Sequence, residues 1–452
     1  MADDDNRKNP ETPGSVKDPE KKRVRRHLIR PRWLRITLKT LMWILVAIIL
    51  IPVLLYVPPV QTLVKNIACK TVYNSTGMRI SIDRFRLKWP VDVSLQGVSV
   101  IEASGDTMAV VREAVADVRL APLLKMDVQV KRLDLNDGYY RMVSPDSSMI
   151  LKIRAGLLTV DDRSSADLRD MRILLNKARI KDGEVSLFMD VWRQKPSPTD
   201  STATPFFISA ARLDLENFTF AMSMLPTIDT LRFNTRSLQL RNGVVDLGKN
   251  LITARSLSAA QGDVTYLIPD SAYIKTHPAP VAKPDTVSAP APPMVIKGDS
   301  VSLSGFRALY AVKGGKPLPG FDPSYIEVSD VNVLLKGFYN AASDITLPIA
   351  SISAKERSGL EITEGHGVFA MDSAGMTLRD FDIKTPYSSL KATAGLPFAL
   401  MELKPDAPVA VNARGALGIP DIEAFMPSLK DYTSKMPRRT PLDFALEASG
   451  SV

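Results

Sequence analysis

The sequence predicts a mainly β protein in which a membrane helix and a short amphipathic helix lead into a long, curled, mostly antiparallel sheet. Three observations carry that reading. Residues 41–60 form a charge-free apolar run directly behind a basic stretch. From Met78 nearly to the end, apolar residues recur at every second position, the period of a strand with one apolar face. Stretches of helical period are few and short over the same region, so helices cannot cover such a sheet.

The first elements follow from charge and hydropathy. Residues 1–20 are polar and read as largely disordered. Lys21, Lys22, Arg23, Arg25, Arg26, Arg30, Arg32, Arg35 and Lys39 then come with no acidic residue among them. About 20 apolar residues at 1.5 Å rise cross a hydrocarbon layer of about 30 Å, and Trp43 and Tyr56 stand near the two ends of the run. Length and the preceding tail of about 40 residues argue for an anchor over a cleaved signal peptide. The positive-inside rule makes Arg23 to Lys39 the orientation signal, with the N-terminus cytoplasmic and residues after 60 outside, in a bacterial chain the periplasm. Val60, Leu63, Val64, Ile67, Ala68, Thr71 and Val72 then form one helical stripe, and Asn74, Ser75 and Gly77 end it, so residues 61–76 read as an amphipathic helix. It either lies on the membrane or caps the start of the sheet.

Composition excludes several classes. Net charge is +9, but residues 1–40 hold 12 Lys/Arg against 6 Asp/Glu, so the remainder carries only +3 and shows no domain-wide nucleic-acid footprint. Cys69 is the single cysteine, and His27, His277 and His366 are scattered, which argues against a disulfide scaffold, a zinc site or a histidine-centred catalytic cluster. No GxSxG, P-loop, GxGxxG or HExxH occurs, and acidic pairs such as Asp161-Asp162 sit in polar, turn-like segments. Neither enzyme chemistry nor a cofactor is expected. The sequons at Asn74 and Asn217 mean little in a bacterial chain.

Six windows in the strand region share one template, apolar-x-apolar-x-x-apolar-x-apolar. They are Ile80/Ile82/Phe85/Leu87, Val93/Leu95/Val98/Val100, Val128/Val130/Leu133/Leu135, Leu213/Leu215/Phe218/Phe220, Ile326/Val328/Val331/Val333 and Met376/Leu378/Phe381/Ile383. Independent placement would give about one. Residues three apart on an unbroken strand face opposite ways, so both apolar pairs share a side only if a bulge or tight turn fills the x-x step. Asn136-Asp137-Gly138, Lys181-Asp182-Gly183 and Arg241-Asn242-Gly243 read as hairpin turns. About 20 strands result. The two helix candidates are residues 164–177 and 421–435, the second N-capped by Asp421 and interrupted by Pro427.

An apolar sheet face without helices to cover it leaves a sandwich, a closed barrel, or a curled sheet with a ligand inside. About 20 strands at about 4.8 Å would run about 95 Å in one sheet, which favours an elongated trough over a barrel. Residues 194–205 and 276–294 are Pro/Ala/Ser/Thr-rich and read as disordered or polyproline loops leaving the sheet at hairpin ends. Leu442, Phe444, Leu446 and Ala448 alternate as a last, edge-like strand, which suggests a fragment of a longer protein or an edge that pairs with a partner.

A basic tail, one membrane helix, an amphipathic helix closed by Gly77, then the strands Met78-Arg-Ile-Ser-Ile82 and Val93-Ser-Leu95-Gln-Gly-Val98-Ser-Val100 together resemble the N-terminal part of the TamB and AsmA-like family. The resemblance extends through residues 116–126 and 128–139 and is firm over about residues 35–190. It implies a member of the bridge-like lipid transfer group: an inner-membrane protein whose taco-shaped β-groove takes phospholipid tails across the periplasm. It also implies a role in outer-membrane protein assembly beside an outer-membrane β-barrel partner. The family's signature C-terminal domain is not in this sequence, and the family offers no catalytic residues to carry over. The template positions are the expected groove lining: Ile80, Ile82, Val93, Leu95, Val98, Val100, Val128, Val130, Leu133, Leu135, Leu213, Leu215, Phe218, Phe220, Ile326, Val328, Met376, Leu378, Phe381 and Ile383. Expected partners are phospholipids, the inner membrane and an outer-membrane barrel, with no nucleic acid.

Overall fold

The computed structural model describes residues 42–44, 56–88, 92–119, 127–167, 170–190, 206–276, 293–398, 408–438 and 440–451. The basic stretch and residues 41 and 45–55 of the candidate span lie outside them. Residues 42–44 are helical, and no helix among the described residues is long and apolar enough to cross a membrane.

Helix α1 (Pro58–Thr76) starts three residues before the expected position because Pro58 and Pro59 suit a first turn, where backbone N–H groups have no helical partner. Gly77 ends it in the left-handed region at φ 71°, its N–H donating to the Tyr73 carbonyl. Strands β1 (Arg79–Lys88), β2 (Asp92–Ile101), β3 (Thr107–Val118), β4 (Asp127–Val143), β5 (Met149–Asp167) and β6 (Arg172–Asp190) follow. Next come β7 (Phe207–Leu225), β8 (Ile228–Asp246), β9 (Leu251–Ile268), helix α2 (Ser271–Thr276), β10 (Val295–Val312) and β11 (Tyr325–Ala341). The chain continues through β12 (Asp344–Glu356), β13 (Glu361–Met371), β14 (Gly375–Lys384), β15 (Ser389–Pro397), β16 (Pro408–Leu417), α3 (Ile419–Phe425), α4 (Lys430–Thr433) and β17 (Leu442–Ser451).

The seventeen strands among the described residues belong to one sheet. Each pairs with its neighbour in the chain, antiparallel except for β6 with β7 and β9 with β10. The two parallel joints correct the expectation for the Pro-rich stretches. Arg172 pairs with Phe207 and Asp190 with Leu225, so the connection between β6 and β7 joins opposite ends of the strands and is not a hairpin. The same holds between Ile268 and Val295, where the connection includes α2. Residues 191–205 and 277–292 themselves lie outside the described residues.

The Asp-Gly and Asn-Gly sites are not turns either. Asp137, Asp182 and Asn242 do adopt positive φ, at 49°, 53° and 47°, but each sits inside a strand whose ladder continues on both sides. Asp83, Gly97, Arg112, Asp137, Gly156, Asp182, Asn217, Arg236, Gln261 and Gly305 stand side by side on β1 to β10, each skipped by the strand register while its two neighbours pair. A second such row, Asn176, Ala211, Asn242, Arg255, Asp299 and Gly337, crosses β6 to β11 six residues away along each of β6 to β10. These rows are creases. A residue at positive φ inside a strand rotates the chain so that the inward positions run i, i+2, i+5, i+7, two in every five.

The template's x-x step is this device. Its second residue is at positive φ in four windows, at Gly97, Asn217, Asp330 and Asp380. In the window from Val128 the register shifts between Val130 and Arg132, and in the first window Asp83 lies opposite Gly97. Glycine follows Asp137, Asp182, Asn242 and Gln261 because the inner corner of a crease has no room: a Cβ on Gly243 would come 2.5 Å from Leu240 Cδ2.

The helix expected at 164–177 is overturned. Asp167 ends β5 and Arg172 starts β6, with Met171 at φ 49° between them. Apolar residues three and four apart across that tight reversal imitate a helical stripe. The segment at 421–435 is helical and broken at Pro427 as expected, but α3 begins earlier and Gly418 is its cap. Asp421 is instead buried in the first turn and accepts hydrogen bonds from the Thr385 and Ser388 hydroxyls.

Candidate functional site

The inward residues of β4 to β11 enclose one apolar cavity of about 890 Å³. β4 and β11 are seven strand steps apart, about 34 Å in a flat sheet, yet Val128 and Leu335 line the same cavity, so the sheet curls around it. Both ends of the five-residue period face inside. On β7 Ile208, Ala210 and Leu213 line the cavity, and Leu215 and Phe218, on either side of the crease residue Asn217, continue into a closed core. That core is built on the buried Leu215, Leu238, Ala259 and Phe306, with Phe233 stacked on Phe306 at 5.6 Å. The trough is therefore filled by its own side chains along the Asn217–Gly305 crease and open along the Asn242–Gly337 crease.

Charge is kept outside. Lys297 is the one charged residue bordering the cavity among the described residues; it sits between inward Ile296 and Gly298, its Nζ 5.6 Å from the centre of the exterior Tyr339 ring. Buried Ser164 is satisfied, donating to the Asp161 carbonyl and accepting from the Asn176 N–H. Along the outer side of the first crease Arg112 pairs with Asp137 at 2.6 Å, Asn217 donates to Asp182 and Arg236 donates to Gln261. Among the described residues three groups are shifted from their ordinary range, and none borders the cavity. A hydrogen bond to Asp229 raises Lys313, one to Glu364 raises Lys384, and the Ser324 hydroxyl followed by the Leu318 and Ser324 N–H groups lowers Asp322. No three His, Cys, Asp or Glu side chains among the described residues are grouped to hold a metal.

Of the residues singled out by the sequence, Val128, Val130, Leu133 and Leu213 line the cavity. Leu215 and Phe218 belong to the closed core. Ile383 borders a second apolar cavity of about 540 Å³ roofed by Ile422, Phe425 and Met426 of α3 and its C-terminal end. Phe381 borders a polar depression with His366, Asp382, Lys391 and Arg414. Ile80, Ile82, Val93, Leu95, Val98, Val100, Leu135, Phe220, Ile326, Val328, Met376 and Leu378 are half-buried on their strands, apart from both cavities and the core. The template missed lining residues on β6 and β8 to β10, such as Ile173, Ala178, Ala254 and Gly298, because it required a large apolar residue at all four places. The two-in-five spacing with Ala and Gly allowed finds them.

No family model matches the chain, and no curated protein or solved structure matches it.

Proposed function

We propose that the chain carries phospholipid along its apolar β-groove in outer-membrane biogenesis, held in a bacterial inner membrane by residues 41–60 with its bulk in the periplasm. The observation that supports this best is the one-sided interior: a continuous apolar lining over eight strands around about 890 Å³, with the charged side chains outside. Ligand pockets for small molecules span about 300–1,000 Å³, so this cavity is ample for acyl tails. Each buried CH₂ gains about 0.8 kcal/mol, about 10 kcal/mol or more for a sixteen-carbon tail, while the headgroup keeps its water. Such binding has no directional contact, so tails can slide without chemistry. The resemblance to the TamB and AsmA-like family points the same way.

The test is photocrosslinking in cells. A benzophenone amino acid at Leu257, inside the cavity, should capture phospholipid detectable by mass spectrometry, whereas the same group at the exposed neighbour Ser258 should not. Equal capture at the two positions, or none at Leu257, would overturn the proposal.

A second reading, a scaffold for outer-membrane protein insertion acting through strand edges, is favoured by β17. It pairs over ten residues with β16 alone among the described residues, and Leu442 and Leu446 are exposed. Proline at alternate β17 positions would abolish that activity and leave lipid capture at Leu257 intact.

A further inference from the structure

Helix α1 presents three faces. Gln61 and Lys65 turn toward β1, where Gln61 Nε2 donates to the Leu87 carbonyl at 3.0 Å and Lys65 Nζ to the Ile82 carbonyl at 2.9 Å. The helix thus covers the β1 edge of the sheet with donors, the groups that edge carbonyls require. This reverses the packing expected of an amphipathic helix beside a sheet, in which the apolar stripe faces inward. Leu63, Val64 and Ile67 point away from the protein, 58, 40 and 56% exposed. Thr62, Asn66 and Lys70 form the third, polar flank, also exposed.

We infer that α1 lies flat on the bilayer, with Leu63, Val64 and Ile67 immersed among the acyl chains beneath the headgroups and Lys70 at headgroup level. Two observations choose lipid over a second copy of the chain as the occupant. From Lys21 to Ile82 the sequence contains no acidic residue, so the helix, the turn after it and Arg79 match an anionic surface. The apolar run of residues 41–60 also leads straight into α1, its last three residues being the first of the helix, which starts α1 at a membrane boundary. The inference rests on reading residues 41–60 as the anchor and is independent of what the groove carries. Its consequence is that the β1 end of the sheet is held against the membrane surface.

The full chain would be reconstituted in vesicles of phosphatidylethanolamine and phosphatidylglycerol, in a Cys69→Ser background with one new cysteine carrying a fluorophore. Ile67→Cys should be quenched at least fivefold more by lipids nitroxide-labelled in the upper acyl chain than the adjacent Asn66→Cys, which an aqueous quencher should reach instead. Both positions lie on exposed flanks of the helix, so folding is not at stake. Water exposure of both labels in reconstituted protein would refute the flat helix while leaving the anchor standing. Equal lipid quenching of both would refute it in favour of a fully inserted helix, and failure of the chain to enter vesicles would remove the anchor and the inference together.

Discussion

Gly262 is the most demanding point of the crease. It follows Gln261, which is at φ 55°, and packs at the inner corner between β8 and β10. A Cβ there would collide with the backbone carbonyl oxygen of Asn234 and come 2.6 Å from Phe306 Cε1, in the one fully buried aromatic position of the closed core. Neither neighbour can retreat cheaply, because Asn234 lies in the ladder with Asp263 and Phe306 is stacked on Phe233. Overpacking costs about 1–3 kcal/mol, and a backbone collision places Gly262→Ala near the upper figure, about 3 kcal/mol. Long sheets open locally, so hydrogen exchange by mass spectrometry is the right assay. About 3 kcal/mol is about a 150-fold loss of protection, expected across β8 to β10 and absent at β1 to β3. Gly395→Ala is the control, since a Cβ there meets nothing within 4 Å. Equal protection in the two variants would show that the crease is slack and that the five-residue period does not rest on close packing.

Two further outcomes follow from other positions. Asn242→Val should destabilise by about 1–2 kcal/mol, because a branched Cβ resists the left-handed conformation at φ 47°, whereas Asn242→Gly should be neutral within about 0.5 kcal/mol; urea midpoints of the pair check this. Asp322, 2% exposed, holds the 313–324 segment by accepting from Ser324 and the Leu318 N–H, and its carboxyl is lowered below the ordinary value. A lowered carboxyl contributes stability that is full above its unfolded value, about 3.9, and is lost as pH falls through the folded one. Exchange in residues 313–324 should therefore accelerate below about pH 4 in the parent, and Asp322→Asn should already exchange fast at neutral pH with no such acid step.

What the sequence determined by itself is local. The two-in-five spacing of Leu213, Leu215, Phe218 and Phe220, the need for a bend at the x-x step, the stop of α1 at Gly77 and the break at Pro427 are all readable from side-chain period and backbone preference within a few residues. The left-handed preference of Asp137, Asp182 and Asn242 was legible in the same way, but its use was not. An isolated Asp-Gly pair suits a hairpin and a crease equally, and only ladders to strands on both sides decide between them. The parallel joints at β6–β7 and β9–β10, the tight reversal before Arg172 and the polar docking of α1 were likewise decided in three dimensions. So was the difference between equivalent template residues, where Leu213 lines the cavity while packing on the core and Leu215, two positions on, is buried in that core. Period and propensity act over one or two turns of chain, whereas curl and cavity depend on residues as far apart as Val128 and Leu335 meeting across the sheet, and that meeting is a property of the whole ladder.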